Sequence, residues 1–448
     1  MQVGRSASAS VKLHTMSPQA TSQATLQDVI IVGAGLAGLS LALALTAQGR
    51  RVLVVDARPE PALPVAGGEF DQRIYAVSPA GVAWLQSVRA WQALDASRLT
   101  PVYDMQIHGD TAVLPLTGEA AQGLHLSAYQ AGVAELCTIV EEREMLRALL
   151  AGAGFAQNLS IWRPVQLAGL QRDDASATLE LADGRRVSAP LLVAADGAQS
   201  WVRDAAGIAT DDVDYEQTAV VANFTTEKPH WNRATQWFRQ EAPAGAAFTP
   251  DAASALGAAS VPGVAGSGSI LAWLPLPGQQ VSMVWSAPTA LAEELMGLPP
   301  QDLANRAAGA GAGLLGSLAP SGTAASFPLR KRRAQRLIGT RVVLVGDAAH
   351  VVHPLAGQGL NLGFGDCAEL ARILAGARDP GDHLTLRRYE RARKAAILEM
   401  HALTHGLQRL FSSQVPALQT LRNLGLNLTG QLPVLSRLLA QHATRTLV

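Results

Sequence analysis

Apolar residues recur along this chain in two rhythms, and each predicts a different element. Val29–Val32 and Val52–Val55 are unbroken apolar runs rich in β-branched residues. Such runs suit parallel strands covered on both faces. Between them, Leu39 to Ala47 is apolar nearly all round, as a helix buried against a sheet must be, and Gly49 offers the positive φ of a helix end. The order is strand, glycine turn, helix, strand. Farther on, Asp71, Arg73 and Ser78 introduce a helix with Val82, Leu85 and Val88 at helical spacing, and Met145, Leu146, Leu149 and Leu150 share one helical face within 138–150.

Three strand-like runs follow, VQLAGLQR, ATLELADGRRVSA and PLLVAAD. Asp183-Gly184 between two of them predicts a hairpin with a type I′ turn. From Ile208 to Phe327 the strands TAVVANFT, ATQWFRQ, SILAWLPL and QVSMVWSAP imply an antiparallel sheet separate from the parallel one. Four of the chain's eight tryptophans fall there (Trp231, Trp237, Trp273 and Trp285), to line a pocket for a flat ring or to pack a sheet core. Within this region Ala242 to Gly268 is almost pure Ala, Gly, Ser and Pro and is expected to be a mobile excursion. Val342–Val345 is a further buried strand, and the helix after it aligns Leu370, Ile373 and Leu374.

Candidate chemistry sits where these strands end. Gly33, Gly35 and Gly38 stand in G-x-G-x-x-G spacing after the first strand. The first permits a sharp turn, the second lets a pyrophosphate approach the backbone, and the third lets helix and strand pack closely. Asp56, at the end of the second strand, is placed to accept from a ribose hydroxyl. Gly311, Gly313 and Gly316 repeat the spacing inside AAGAGAGLLGSL, but no strand precedes them and no acid follows, so composition explains them. Asp196-Gly197 closes another strand, at the mouth of a sheet. Gly346-Asp347 ends the Val342 strand, and Pro354, Gly357, Gly359, Leu360 and Asn361 form a glycine-rich turn into a helix whose positive end suits an anion. Arg73 reaches a phosphate or makes a surface ion pair; the residues alone leave both open. His350 and His353 are an incomplete zinc set, and no metal is expected.

Composition narrows the field. The chain of 448 residues has no net charge, which favours no nucleic-acid partner, and its two cysteines, Cys137 and Cys367, form neither a disulfide framework nor a metal cluster. No apolar run reaches the roughly 18–20 residues of a membrane span. Residues 1–27 are polar and lack an apolar core, so a disordered tail is expected rather than a secretory signal, with Met16 an alternative start.

GAGLAGLSLA, VAADGAQSWVR and LVGDAAHVVHPLAGQGLNLG, in that order, resemble the three fingerprints of FAD-dependent aromatic hydroxylases of the para-hydroxybenzoate hydroxylase type. DQRIYAVS, the unbroken HPLAGQGLNLG, LRRYERARK and LFSSQVPALQTLRNLGLNL resemble, more narrowly, the ubiquinone-biosynthesis hydroxylases. The long N-terminal tail, the Ala/Gly-rich excursion and Glu142, which stands where many relatives carry Asn, depart from the pattern.

The resemblance implies non-covalent FAD, with NADH or NADPH as a transient co-substrate and O₂ as oxidant. A flavin C4a-hydroperoxide would hydroxylate a polyprenylated phenol of ubiquinone synthesis. The alternatives are a hydroxylase of a small soluble aromatic and a catalytically silent flavin-binding assembly protein. Gly33, Gly35, Gly38 and Asp56 would hold the ADP half, Arg73 would lie near the flavin and Arg143 would be another cofactor contact. Asp347 would meet the pyrophosphate and ribityl chain, and Gly359, Leu360 and Asn361 would present N–H groups to the flavin pyrimidine edge. Asp196 and Arg203 resemble the motif linked to FAD and nicotinamide binding. No catalytic acid or base is assigned.

The expected fold is α/β: a Rossmann-like FAD domain with a parallel sheet, an antiparallel-sheet substrate domain and a helical C-terminal tail. The FAD domain is drawn from 28–101, 128–204 and 327–400, the substrate domain from 102–127 and 205–326, and the helical tail from 401–448. In that tail Leu418, Leu421, Leu424 and Leu428 form a stripe, Arg409, Arg422 and Arg437 lie on the polar side, and Ala392 to Leu447 holds one acid, Glu399. Such a face lies on a bilayer or meets a ubiquinone-synthesis assembly; packing on the FAD domain or on a second copy is the alternative. The expected location is cytoplasmic, or peripheral on the inner membrane face.

Overall fold

The structure, a computed structural model, describes residues 27–65, 67–109, 124–240, 268–352 and 358–412. The expected N-terminal tail up to residue 26, the excursion from Ala242 to Ser267, His353, Pro354, Gly357 and the leucine stripe of the tail lie outside them.

A six-stranded sheet forms one half of the molecule, in the order Ile338–Gly339, Val342–Leu344, Leu191–Ala194, Val29–Val32, Val52–Val55, Leu159–Trp162. All neighbours run parallel except the edge strand Ile338–Gly339, which is antiparallel. The unbroken apolar runs are explained by coverage. Helices Leu36–Ala47 and Gln358–Leu374 belong to one continuous core with the four central strands, whose residues are all buried. Leu36–Ala47 carries buried residues on most of its circumference. Gly49, one residue past the helix cap, has φ +83°, as expected.

A nine-stranded sheet forms the other half, built on the long strand Thr210–Thr226 between Gln280–Pro288 and Ala325–Ala334. Helices Thr289–Gly297 and Pro300–Ala310 pack on one face around Trp237, Trp273 and Trp285, all buried, so these three serve a sheet core. Trp231 alone of the four is exposed. The sheet is not wholly antiparallel: Arg233–Gln240 pairs parallel with Asp104–His108, which a local reading of strands could not reveal. The expected boundary at 326/327 falls within the strand Ala325–Ala334.

Four local expectations need correction. The segment after Arg73 begins with a strand, Ile74–Val77, before Ser78 caps the helix Pro79–Ser87. Cys137–Glu141 is likewise a strand and its helix starts at Glu142; both strands meet, with Thr100–Val102, in a small antiparallel sheet. The Asp183-Gly184 hairpin exists, but only Gly184 has positive φ. The Gly184 N–H donates to Leu181 O at 2.9 Å, and Leu181 N–H to Arg185 O at 2.9 Å. That is a turn with a glycine bulge, not type I′. Finally, the cofactor helix already begins at Gln358, so Gly359, Leu360 and Asn361 lie in its first turn rather than in the loop before it.

Candidate cofactor cleft and active site

Three glycine-bearing turns converge at the C-terminal ends of adjacent parallel strands. Gly33 follows Val32 with φ +109°, and a Cβ there would stand 2.2 Å from Ala195 O, so the turn lies directly against the end of the Leu191 strand. Gly38 is equally constrained, since its Cβ would reach within 1.9 Å of Gly33 O. Gly35 differs: the nearest atom to its Cβ would be Arg58 Nη2 at 3.9 Å. Open space therefore faces Gly35, and no side chain caps the helix that starts there. An uncapped helix end with an open glycine approach fits a pyrophosphate.

Asp56 is buried beside this turn. The Ala34 N–H donates to its Oδ2 at 2.6 Å and the Arg58 N–H to its Oδ1 at 2.8 Å, with the Arg58 guanidinium at 3.3 Å. Burial pushes its carboxyl upward, but hydrogen bonds from Arg58 and Ala34 outweigh burial and hold it below its ordinary value. Asp56 therefore braces the glycine turn.

At the next strand end, Asp196 Oδ2 accepts from the Val202 N–H at 3.1 Å. Burial pushes this carboxyl up, against hydrogen bonds that include the Ser200 hydroxyl. Arg203 is buried and committed to the fold, donating to Ala198 O at 3.1 Å and Ala348 O at 3.3 Å. It ties the Asp196 turn to the Gly346 turn. Asp347 is exposed to solvent yet surrounded by protein, the position of a group on a cleft floor. That enclosure pushes its carboxyl up, against the pull of His350 and Arg73.

The wall facing Asp347 comes from the small antiparallel sheet. Arg73 Nη1 lies 3.3 Å from Glu142 Oε2, and its guanidinium lies 5.1 Å from the centroid of the Phe327 ring. The ion-pair alternative for Arg73 is thus realised here, with its side chain half exposed. Tyr75, two residues along the strand, is pushed well up by burial and by the carboxylates of Glu142 and Asp347, so its phenol stays protonated. Arg143 lies beside Asp71, its Nε 3.3 Å from Oδ2.

The Asp71–Arg73 segment is itself clamped. Arg98 and Glu141, both buried, form a two-point ion pair at 2.5 and 3.0 Å. Arg98 also donates to the carbonyls of Gly68 and Glu69 at 3.1 Å, and the Asp71 N–H donates to Glu141 Oε2 at 2.5 Å. From the large sheet, Asn223 Nδ2 reaches Phe70 O at 3.2 Å and Asp71 O at 3.0 Å. Tyr75 stands within DQRIYAVS without an assigned role, and no sequence pattern singles out Arg98, Glu141 or Asn223. Their signal is pairing between distant segments, which local spacing does not carry.

The cofactor helix meets this wall through Asn361, whose buried side chain accepts the Ser78 N–H at 2.9 Å and donates to Ala76 O at 2.9 Å. No group of His, Cys, Asp or Glu among the described residues could hold a metal ion.

A strand–glycine-turn–helix cradle, three aligned strand ends and a facing helix N-terminus define a dinucleotide-flavin protein. Residues 27–404 match the FAD binding domain family, and the chain belongs to that family. It is 33% identical over 439 residues to the ubiquinone hydroxylase UbiL of Rhodospirillum rubrum, covering 96% of this chain and 93% of that protein. It is 31% identical over 420 residues to 3-demethoxyubiquinol 3-hydroxylase of Escherichia coli, covering 93% and 98%. Among solved structures, p-nitrophenol 4-monooxygenase PnpA of Pseudomonas putida superposes with a TM-score of 0.69 at 17% identity, covering 94% of this chain and 98% of that one. A single-residue variant of HpxO of Klebsiella pneumoniae, solved in complex with FAD, gives 0.68 at 19%, covering 93% and 99%. The fold is the expected one, a parallel-sheet FAD half joined to a large, mainly antiparallel sheet.

Proposed function

We infer that this chain is an FAD-dependent monooxygenase that hydroxylates a prenylated phenol ring in ubiquinone biosynthesis, with NAD(P)H as electron donor and O₂ as oxidant. The observation that carries the reading is the convergence of the Gly33, Asp196 and Gly346 turns on one cleft, in a chain whose relatives of like length are named for ubiquinone hydroxylation.

Bound FAD would supply the oxygen-transfer chemistry; the protein supplies position, dryness and charge. Gly33, Gly35 and Gly38 would hold the pyrophosphate against the helix end, and Asp56 would take a ribose hydroxyl. Asp347 would meet the chain between pyrophosphate and ring. The N–H groups of Gly359, Leu360 and Asn361, with Pro354 and Gly357 before them, would favour negative charge on a reduced ring. Arg73 and Arg143, each paired with a carboxylate, would be cofactor contacts across the cleft, and Asp196 would serve FAD and nicotinamide binding. Tyr75, held protonated, can donate a hydrogen bond but takes up no proton.

The leucine stripe and basic face beyond Ser412 support a peripheral contact with a membrane or membrane-bound assembly, because a polyprenyl chain resides in lipid. No helix of the described residues is long and apolar enough to cross a membrane. Two experiments test the function. Purified protein with NAD(P)H, prenylated phenol and labelled O₂ should place label in the product hydroxyl; unlabelled product refutes the monooxygenase reading. Quinone profiling of a deletion strain should show an under-hydroxylated precursor, and unchanged quinones would refute the pathway.

A further inference from the structure

Beneath the cleft floor lies a charged cluster that the function above does not use. Asp366, on the cofactor helix, is fully buried. Its Oδ2 accepts from the Gly346 N–H at 2.9 Å and meets His350 Nε2 at 2.6 Å, while Oδ1 accepts from Arg393 Nε at 2.8 Å. Arg393, from the helix His383–Ser412, is also buried, and its Nη2 donates to Leu362 O at 3.1 Å. One carboxylate therefore joins the turn that carries Asp347, the strand residue His350, the cofactor helix and the C-terminal helix. A buried carboxylate is tolerated only when its lone pairs are met by such donors.

We infer that Asp366 is the positioning residue of the cofactor cleft, fixing the Gly346–Asp347 turn at a set distance from the N-terminus of the helix Gln358–Leu374. Asp347 and that helix end would both approach FAD. The turn that carries Asp347 has φ +60° at Gly346, whose N–H is satisfied by Asp366. Gly363 permits the close approach, since a Cβ there would lie 3.2 Å from Gly346 Cα. Arg393 completes the device by neutralising Asp366 from a separate helix. Asp366 is fully buried beneath the cleft and acts on it through Gly346 and His350.

The inference rests on FAD binding at this cleft, not on which phenol is hydroxylated, so it is tested without substrate. FAD affinity of the full chain is measured by fluorescence quenching on apoprotein, with the midpoint potential of the bound flavin as second readout. Asp366→Asn keeps an acceptor but removes the charge that Arg393 and His350 share. It should weaken FAD binding about tenfold or more and shift the potential. Arg50→Met is the control: Arg50 anchors the far end of the same helix through Leu374 O at 2.5 Å and Ala377 O at 2.7 Å. It should lower stability while leaving affinity and potential near wild type. Equal losses in both variants would reduce Asp366 to general packing, and a folded Asp366→Asn protein with FAD affinity within about twofold of wild type would overturn the inference. Should Asp366→Asn fail to fold, Arg393→Met carries the test, expected to weaken FAD several-fold and overturning the inference if it does not.

Discussion

Asn361 Oδ1 accepts the backbone N–H of Ser78 at 2.9 Å across 283 positions of sequence, and its amide returns a hydrogen bond to Ala76 O. One side chain thus joins the first turn of the cofactor helix to the cap of the helix Pro79–Ser87. Removing it strands the buried Ser78 N–H and the half-buried Ala76 carbonyl. Asn361→Ala should cost about 2–4 kcal/mol in urea unfolding of the apoprotein, roughly 1–3 kcal/mol for the buried N–H and about 1 kcal/mol for the half-buried carbonyl. Asn361→Asp keeps the acceptor and should lose less.

The two ends of the glycine turn should respond oppositely. At Gly33 a new Cβ collides with Ala195 O and the backbone is left-handed, so Gly33→Ala should destabilise the apoprotein by about 3 kcal/mol or more. At Gly35 the space is open. Gly35→Val should keep its unfolding midpoint yet purify colourless. Full flavin occupancy of that variant by absorbance would remove Gly35 from the cofactor site.

Arg98→Met tests the clamp on the Arg73 segment. It leaves the Glu141 carboxylate buried with only the Asp71 N–H still donating to it among the contacts described above, and breaking a buried pair costs about 3–5 kcal/mol. Denaturant unfolding should show a loss of that size; under about 1 kcal/mol would mean the segment is held elsewhere.

Asp347 makes a pH prediction. Its carboxyl titrates above its ordinary value of 3.8 in the folded chain, so the folded state holds the proton more tightly than the unfolded one. Its contribution to stability is present below the unfolded value and declines as pH rises through the folded one. Asp347→Asn should flatten the apoprotein's stability curve over that acidic window and leave it no less stable at neutral pH, while weakening FAD binding. A neutral-pH loss in melting temperature would contradict the assignment.

What was legible in sequence was what local pattern encodes. Val29–Val32, the glycine turn and the helix after it lie contiguously, and their burial follows from an apolar run. Ser78 as a cap and Gly184 as a turn residue are equally local, though the turn type needed the backbone. Ile74–Val77 escaped because it is short and mostly half-buried, and Cys137–Glu141 because its apolar run merges with the helix that follows. The parallel pairing of Arg233–Gln240 with Asp104–His108, and the joints at Asn361, Asp366 and Arg98, were hidden for another reason. Each depends on a partner far along the chain, and the spacing of residues does not announce such partners.

The strand order has a consequence for how the protein is made. Val342–Leu344 completes one flank of the six-stranded sheet beside Leu191–Ala194, and the Gly346 turn depends on Asp366 and Arg393, which emerge later still. During synthesis the Gly33 cradle leaves the ribosome early but stays half-walled until the chain has run past Arg393. Pairings of such long separation are slow and expose apolar strand edges while they wait. Cofactor capture should therefore be a late event, near the end of synthesis or after release.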